Sequence, residues 1–333
     1  MSLRPAIIAG VGSFVPERVL TNADLERIVD TTDEWIVSHT GIRERRIADE
    51  NQASSDLGLQ ASRRALEDAG LGPDDIDLVL CATVTPDHFF PVTANIMQDR
   101  LGARKTPAFD LLSGCTGFVL ALWTARQFIA TGELEHVLVI SAEKLTSITD
   151  WTDRSTCVLF GDGAGAVVVS AGQGDPAAKG LIAFVAESYG EYGHLLHVPA
   201  GGSRRPVDAE ALAAHDNCLR MEGPELFKLA VRGIPDVSEQ VIAKAGLTNR
   251  DIDWVIMHQA NLRIIEAAAR RLDIPQERVV INVDRYGNTS AASMAIALDE
   301  VYREGRLEPG HNILMVGFGA GFSLGAAIVR WGC

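Results

Sequence analysis

The sequence predicts a duplicated α/β sandwich, and two observations carry that prediction. Continuous apolar runs rich in Val, Ile and Leu alternate with helical patterns along the chain, which is typical of strands that are covered on both faces. Two segments far apart in the chain also resemble each other. With 333 residues and 47% hydrophobic content, the chain is long enough to bury one large core or two smaller ones.

The internal repeat is the stronger of these signals. Residues 69–83 (AGLGPDDIDLVLCAT) and 245–259 (AGLTNRDIDWVIMHQ) are identical at seven of fifteen positions, at an offset of 176. Later landmarks recur in the same order, since HVLVIS followed by FGDGAGAVVV is matched by NILMVG followed by GAGFSLGAAIV. We therefore predict two copies of one α/β unit, with a boundary between residues 1–172 and residues 173–333.

Composition excludes several classes of function. The net charge of −14 argues against a nucleic-acid-binding surface, although it allows a local basic patch for an acidic partner. The five cysteines are odd in number, scattered and without metal-ligand spacing, so neither a disulfide framework nor a metal site is predicted. No run is long enough to span a bilayer, and the N-terminus has no secretory pattern. We expect a cytoplasmic protein.

Cys115 is the first candidate for chemistry. The stretch DLLSGCTGFVLAL (110–122) places it just before an apolar helix predicted at about 116–131, where unpaired N–H groups and the helix dipole favour a thiolate. Because free cysteine is also among the most commonly buried residues, the position alone fits packing as well as catalysis. For the remaining cysteines we favour a structural role: Cys81, Cys157, Cys218 and Cys333.

Two polar residues in the second copy are candidates for the same site. His258 directly follows an apolar strand pattern, at the strand end where α/β proteins usually place their sites. The repeat lays Gly287-Asn288 over Gly114-Cys115, so a pseudo-dyad would bring these positions together. Taken singly, His258 fits a structural histidine and Asn288 a helix cap or turn. A cysteine beside a neutral imidazole and an amide can form a thioester and stabilise an oxyanion; no carboxylate is obvious as an orienting partner.

Three glycine clusters could indicate a dinucleotide-binding site. GVGSFV (10–15), GDGAGA (161–166) and GFGAGF (317–322) resemble parts of a dinucleotide fingerprint. Val15 stands where the third glycine belongs in the first, and the other two lead into strand-like runs rather than a helix. We therefore interpret the clusters as tight turns and close backbone contacts, and a nicotinamide enzyme is disfavoured.

The sequence resembles the β-ketoacyl-acyl-carrier-protein synthase III family nearly from end to end. The resemblance is carried by long motifs in the same order, which are TNADLERIVDTTDEWIVSHTGIRERR (21–46), FGDGAGA (160–166), HQANLRII (258–265), GNTSAAS (287–293) and GFGAGFSLGAAIVR (317–330). It implies the thiolase fold, which is a duplicated five-layered αβαβα sandwich with pseudo-two-fold symmetry, and a homodimer. It also implies the initiating condensation of type II fatty-acid synthesis, from an acyl-CoA and malonyl-acyl-carrier-protein.

The resemblance implies a role for each candidate. Cys115 corresponds to the acylated nucleophile, and His258 and Asn288 to the pair that assists decarboxylation. The oxyanion would be held by the backbone N–H groups of Cys115 and Ala320. Cys-His-Asn separates this chain from elongating ketosynthases, which use Cys-His-His, and from thiolases, which use Cys-His-Cys. Plant-type polyketide synthases share Cys-His-Asn but differ in the surrounding motifs.

The resemblance also implies the binding residues. The CoA-binding positions are Trp35, which would stack on the adenine, Arg154 on the other face of the adenine, and Thr31 nearby. The acyl-pocket positions are Phe90, which would reach across the dimer, and Phe318. The carrier-protein docking positions are Lys228, Arg263, Arg270 and Arg271, of which the last three recur at helical spacing on one face. Without the resemblance, these charges would read as a solvated surface, and Trp35 with Arg154 as a surface pair.

Three departures from the family pattern bear on substrate choice. Ser113, Gly114 and Thr116 flank the cysteine where small-small and alanine are frequent. His39 stands where many members have an arginine that contacts the CoA phosphate. Ala320 replaces a usual glycine at the backbone donor. These departures bear on the primer and on CoA affinity rather than on the type of reaction.

Two alternative functions remain open at this point. One is a related condensing enzyme or acyltransferase of secondary metabolism, which would make a polyketide or quinolone starter or transfer an acyl group to oxygen or nitrogen. The other is a non-catalytic thioester-binding partner, which the intact Cys115, His258 and Asn288 disfavour. No cofactor is expected, because the CoA thioester is a substrate; no nucleic-acid or membrane partner is expected either.

Overall fold

The duplication is visible in two similar β-sheets. A computed structural model describes residues 3–332. The strands are β1 Ala6–Phe14, β2 Val19–Thr21, β3 Glu44–Arg46, β4 Leu78–Ala82, β5 Ala108–Leu111, β6 His136–Lys144, β7 Asp162–Ala171, β8 Gly180–Ser188, β9 Leu196–His197, β10 Arg220–Met221, β11 Trp254–Met257, β12 Asn312–Gly319 and β13 Ser323–Arg330. The helices are α1 Asn22–Leu25, α2 Asp33–Thr40, α3 Ser54–Ala69, α4 Thr93–Leu101, α5 Gly117–Thr131, α6 Arg154–Cys157, α7 Ala209–Ala213, α8 Gly223–Lys244, α9 Leu262–Arg271, α10 Val283–Tyr286 and α11 Ala292–Arg303.

The two large sheets share one strand order. The first runs β1-β7-β6-β4-β5 and the second β8-β13-β12-β11. An isolated parallel bridge from Val255 to Val279 lies where the first sheet has β5. The equivalent pairs β4–β6 and β11–β12 are both parallel, and the next two pairings in each sheet, toward β1 and β8, are antiparallel. The offset of 176 persists in the register, because Leu78 pairs with Val137 and Trp254 with Ile313.

The side chains of each sheet divide between two cores, which produces five layers. One core lies between the sheets and contains α5 and α11. The outer face of the first sheet packs against α3 and α4, and that of the second against α8 and α9. In β4 the alternation is direct, since Leu78, Leu80 and Ala82 face the central layer whereas Val79 and Cys81 face outward. The predicted αβαβα sandwich is confirmed.

The glycine clusters serve close packing rather than nucleotide binding. The first ends just after β1, the second begins just before β7, and the third runs from the end of β12 into a 3₁₀ turn at Ala320–Phe322, so none leads into an α-helix. Gly165 in β7 lies directly under α11, because a Cβ built on it would be 2.4 Å from the Ala295 Cβ and 2.9 Å from the Ala295 carbonyl carbon. In residues 3–332, no helix is long and apolar enough to cross a membrane.

Replacing Gly165 with alanine should therefore destabilise the fold. The added methyl group must push α11 away from β7, and overpacking of this kind costs about 1–3 kcal/mol. Denaturant unfolding of Gly165→Ala measures the loss. Gly193→Ala is the matched control, because a Cβ there meets no atom within 4 Å; equal stability of the two variants would contradict this account of the β7–α11 contact.

Candidate active site

Cys115 lies in a tight turn between β5 and α5. A 3₁₀ turn, Gly114–Thr116, leads into α5, so the expected position before an apolar helix is confirmed. The thiol is 8% exposed, and it donates to Ser290 Oγ at 3.4 Å. The turn itself is fixed by Thr116 Oγ1, which donates to the Ser113 carbonyl at 2.7 Å and lies 3.0 Å from Ser323 Oγ. The buried Thr116 thus stabilises the turn that holds Cys115.

The ends of β12 and of the cysteine turn are in backbone contact. A Cβ on Gly319 would lie 2.7 Å from the Cys115 nitrogen, and one on Gly114 would lie 3.2 Å from the Ala320 nitrogen. Only a residue without a side chain at position 319 allows this approach. The N–H groups of Cys115 and Ala320, which the resemblance assigns to the oxyanion, therefore lie on adjoining stretches of backbone.

The protonation state of the nucleophile differs from the sequence-based expectation. Burial raises the pKa of the Cys115 thiol to about 12, and hydrogen bonds from Ser290 and the backbone oppose this only in part. The expectation that the helix N-terminus favours the thiolate is wrong for this closed site, because desolvation outweighs it. Near neutral pH, Cys115 is therefore a protonated thiol in this structure.

His258 follows β11 and is 2% exposed. Its backbone N–H donates to the Val316 carbonyl at 2.8 Å, and its Nδ1 lies 2.8 Å from Ser293 Oγ. Ser293 Oγ also accepts the N–H of Gln259 at 3.2 Å. When Ser293 Oγ donates its own proton to Nδ1, the ring proton of His258 lies on Nε2. Burial lowers the pKa of His258 to about 3, and the imidazole is neutral.

Asn288 is 7% exposed. It begins a short segment, residues 288–293, whose side chains contact Cys115 and His258. Its Oδ1 accepts the N–H of Ser290 at 2.8 Å, which leaves both Nδ2 protons for another acceptor. Ser290 also accepts the Cys115 thiol, and Ser293 contacts His258. Residues 288–293 thus connect Cys115, His258 and Asn288.

The repeat relation between the cysteine and asparagine turns holds in the backbone, with one difference. Gly114 and Gly287, which precede Cys115 and Asn288, both have positive φ angles, of 55° and 63°. In the second copy, however, the short helix α10 intervenes between the strand-like bridge at Val279 and Asn288. This helix accounts for the inserted residues seen in the alignment of the two copies.

A buried carboxylate next to the site was not identified from the sequence. Glu143, near the end of β6, is completely buried. Its Oε2 accepts from the Val84 N–H at 3.0 Å, Thr85 Oγ1 at 2.9 Å and Thr83 Oγ1 at 3.3 Å. Burial raises the pKa of Glu143 to about 7, while the hydrogen bonds from residues 83–85 oppose the rise. A glutamate after a run of β-branched residues gives no sign of burial in the sequence.

The residues expected to bind CoA lie together at the surface. The Arg154 guanidinium carbon is 4.8 Å from the centre of the Trp35 ring, and His39 stacks on Trp35 with ring centroids 4.5 Å apart. An adenine that stacks on Trp35 would have to displace one of these neighbours or enter beside it. Thr31 Oγ1 is buried without a hydrogen-bond partner among residues 3–332, which fits a hydroxyl that awaits a ligand.

The two aromatic residues assigned to the acyl pocket lie in different surroundings. Phe318 is buried, and its ring meets the His258 ring edge-on at 5.5 Å between centroids. Phe90 is 85% exposed and makes no pocket within its own chain. A large exposed aromatic is consistent with a residue that acts on a second subunit.

The basic residues lie on α8 and α9 as their spacing predicted, but most have acidic partners. Lys228 pairs with Glu225 at 3.1 Å, Arg270 with Glu266 at 3.8 Å and Arg271 with Asp236 at 2.8 Å. Arg263, which lies over the Phe227 ring, forms no salt bridge within the described part of the chain. Arg263 is therefore the most available cation of this group.

A duplicated five-layered sandwich with a cysteine, a neutral histidine and an amide at its centre defines a thiolase-fold condensing enzyme, a class of acyltransferase. Family models described as "3-Oxoacyl-[acyl-carrier-protein (ACP)] synthase III" and its C-terminal part match residues 109–190 and 242–331. The chain is 52% identical to β-ketoacyl-[acyl-carrier-protein] synthase III of Caldanaerobacter subterraneus subsp. tengcongensis, over 97% of each chain.

Solved structures agree with this relation. A 3-oxoacyl-[acyl-carrier-protein] synthase III from Aquifex aeolicus is 46% identical, with a TM-score of 0.90 over 98% of this chain and 100% of that one. The priming β-ketosynthase of the R1128 polyketide biosynthetic pathway is 37% identical, with a TM-score of 0.91 over 98% and 96%. The chain belongs to the β-ketoacyl-[acyl-carrier-protein] synthase III family.

Proposed function

We propose that the chain catalyses the initiating condensation of type II fatty-acid synthesis, with Cys115, His258 and Asn288 in the catalytic roles. The observation that carries the assignment is the connection of all three residues by the segment 288–293. The proposed chemistry uses side chains and backbone groups of this chain, with the acyl-CoA as a substrate and no resident cofactor. The cytoplasmic location expected from the cysteine pattern stays a prediction.

In the first stage, the Cys115 sulfur attacks the carbonyl carbon of an acyl-CoA. The tetrahedral oxyanion accepts hydrogen bonds from the N–H groups of Cys115 and Ala320, which lie on adjoining backbone. Collapse of this intermediate breaks the carbon–sulfur bond to CoA and leaves a thioester on Cys115. The proton lost by the Cys115 thiol goes to the departing CoA sulfur, so CoA leaves as a thiol.

In the second stage, malonyl-acyl-carrier-protein loses CO₂ and becomes an enolate. The neutral His258, through Nε2–H, and Asn288, through Nδ2–H, donate to the enolate oxygen, so no strong base is needed. The enolate carbon attacks the acyl thioester, and the Cys115 sulfur leaves with formation of the β-ketoacyl product.

Loss of Cys115 and loss of His258 should separate the two stages. Cys115→Ala should show no acyl mass shift with any acyl-CoA of a chain-length panel. His258→Ala should still become acylated, whereas its condensation rate should fall on the order of 100- to 1,000-fold, the usual cost of losing an oxyanion donor. Intact-protein mass spectrometry and CO₂ release measure the two steps.

Variants of the exposed His194 control for the general effect of losing a histidine. An acylated Cys115→Ala protein, or normal condensation by His258→Ala, would remove that residue from its proposed role. Acyl transfer by the unmodified chain without CO₂ release would favour the alternative acyltransferase.

We propose that an acidic carrier protein docks on α8 and α9, with Arg263 as the central contact. Lys228, Arg270 and Arg271 surround it, although their acidic neighbours offset part of their charge. Arg232, which accepts a hydrogen bond from Arg271 through its carbonyl, adds an exposed cation that the sequence did not suggest. An unpaired cation on an otherwise acidic chain steers an acidic partner toward this face.

Charge reversal at Arg263 should weaken the binding of the carrier protein without affecting the reaction with acyl-CoA. A pair of unit charges 4 Å apart in water is worth about 1 kcal/mol, so Arg263→Glu should raise KM for malonyl-acyl-carrier-protein on the order of tenfold. The rate of Cys115 acylation by acyl-CoA should be unchanged. Arg63→Glu, on the opposite outer layer, is the matched control; an equal rise in KM for both variants would contradict a local docking site.

We also propose a homodimer formed along β5. This strand is the edge of the first sheet, and exposed apolar side chains surround it, namely Phe89, Phe90, Phe109 and Leu112. An exposed apolar edge strand is a template for pairing with a second chain. In such a dimer Phe90 would be positioned to contact the partner.

A lysine on this edge should dissociate the dimer. In Phe109→Lys, two like charges approach each other across the symmetry axis, and the apolar contact is lost. Sedimentation equilibrium should change from twice the mass of one chain to the mass of one chain. Leu212→Lys places the same charge at another exposed leucine, 53% accessible, and should remain dimeric; a monomeric unmodified chain would refute the dimer.

A further inference from the structure

A buried arginine whose hydrogen-bond acceptors are uncharged lies next to the asparagine turn, Gly287-Asn288. Arg45, in the middle of β3, is completely buried. Its guanidinium donates to the Leu20 carbonyl at 3.1 Å, to Asn22 Oδ1 at 2.9 Å and to the Val158 carbonyl at 2.8 Å. Its Nε is buried and has no hydrogen-bond partner among residues 3–332. Burial lowers the pKa of Arg45 to about 10, so the side chain stays charged near neutral pH.

The guanidinium of Arg45 joins two segments that are far apart in the sequence. Leu20 and Asn22 belong to β2 and α1, whereas Val158 directly follows α6. A buried charge is costly, and hydrogen bonds to neutral oxygens replace its hydration only in part. The planar fork of an arginine is nevertheless suited to holding several acceptors in a fixed geometry. Arg45 therefore ties the segment 158–161 to the segment 20–22.

The segment 158–161 holds the backbone of Asn288. The Asn288 N–H donates to the Leu159 carbonyl at 2.8 Å, and the Gly161 N–H donates to the Asn288 carbonyl at 3.1 Å. The side chain of Arg45 also packs against both sides of this pairing. A Cβ built on Gly161 would lie 3.1 Å from the Arg45 Cβ, and one built on Gly287 would lie 3.3 Å from it. The asparagine turn is thus in contact with Arg45 from its own segment and from the segment that it pairs with.

The backbone beside Arg45 contacts the helix that precedes the asparagine turn. The Arg43 N–H donates to the Asp284 carbonyl in α10 at 2.9 Å. Within the turn, Asn288 Oδ1 accepts the Ser290 N–H at 2.8 Å, which fixes the amide relative to its own backbone. The direction of Asn288 Nδ2 therefore follows from the position of the backbone, and that position depends on Arg45.

We propose that Arg45 is a positioning residue for Asn288, an inference that rests on the proposed role of Asn288 in the second stage. The Arg45 guanidinium fixes the Val158 carbonyl and, with it, the Leu159 carbonyl that follows. The packed stem of Arg45 fixes the two glycines beside the turn. Asn288 Nδ2 is then held where the enolate oxygen forms during decarboxylation, and Arg45 acts on the reaction through this turn.

The helix that carries Trp35 is held by other bonds. Asn22 Nδ2 donates to Asp33 Oδ1 at 2.7 Å and to the Ile42 carbonyl at 2.9 Å, and Asp33 begins α2. These bonds do not involve the Arg45 guanidinium. The first stage uses Cys115 and backbone N–H groups outside the asparagine turn, so loss of Arg45 should spare acylation and impair decarboxylation.

The test uses Arg45→Met, which keeps an unbranched stem and removes the donors. Intact-protein mass spectrometry follows acylation by an acyl-CoA, and CO₂ release follows a single turnover of the acylated enzyme with malonyl-acyl-carrier-protein. Acylation should be unchanged, whereas CO₂ release should fall on the order of 100-fold, the cost of misplacing a reacting group by about 1 Å. In the steady state kcat should fall with KM for malonyl-acyl-carrier-protein unchanged. Arg45→Lys, which keeps the charge and a donor, should recover part of the rate.

A double-mutant cycle separates positioning from a general loss of stability. Asn288→Ala removes the donor itself and should lower CO₂ release on the order of 100- to 1,000-fold. Adding Arg45→Met to Asn288→Ala should cost no further rate, because the position of a donor has no effect once the donor is gone. Losses that multiply in the double variant, or acylation that falls as much as CO₂ release, would overturn the proposal.

Arg278→Met is the matched control, because the Arg278 guanidinium also donates to carbonyls, those of Arg250 and Ile252; both steps should be unchanged in it. If Arg45→Met does not fold, Arg45→Lys takes its place in the cycle under the same criteria. Failure of the unmodified chain to release CO₂ from malonyl-acyl-carrier-protein would refute the proposed function. Normal CO₂ release by the folded Arg45 variant would refute only the role of Arg45.

Discussion

The geometry of the active site depends on one backbone contact between the two halves of the repeat. The Asn288 N–H donates to the Leu159 carbonyl at 2.8 Å, and the Gly161 N–H donates to the Asn288 carbonyl at 3.1 Å. These bonds fix the segment 288–293, from the second half, against the start of β7 in the first. That segment contains Asn288 and contacts Cys115 and His258. A shift of these backbone hydrogen bonds would therefore move Asn288, Ser290 and Ser293 together. Donors held in place by backbone need little reorganisation during the reaction.

Desolvation is the second constraint, and it determines the charge state of the site. Cys115, His258 and Asn288 are at most 8% exposed, so the thiol and the imidazole both rest in their neutral forms. In the proposed reaction, negative charge appears on an oxyanion or an enolate, and a hydrogen bond from an aligned N–H group is stronger in this buried site than in water. Glu143, near the end of β6, is also completely buried, and burial raises its pKa to about 7.

The sequence was sufficient to predict the architecture, because the internal repeat can be found by comparing short segments of the chain. The offset of 176 predicted the register of β11 with β12, and the glycines before Cys115 and Asn288 predicted equivalent turns. The burial of Glu143 could not be predicted, because its hydrogen-bond partners lie at positions 83–85, far along the chain. The sign of the Cys115 pKa shift was missed for the same reason. The position of Cys115 before a helix can be predicted from the sequence, whereas its desolvation between two sheets cannot. The boundary between residues 172 and 173 stays a prediction.

The burial of Cys115 and His258 also excludes water from the proposed reaction. In the proposed reaction, bulk water would hydrolyse an acyl thioester on Cys115 and would protonate an enolate near it, and either intermediate would be lost. Phe318 packs edge-on against His258 at 5.5 Å, and Thr116 fills the space behind the cysteine turn. The cluster around Trp35, which the resemblance assigns to CoA, lies at the surface rather than beside the thiol.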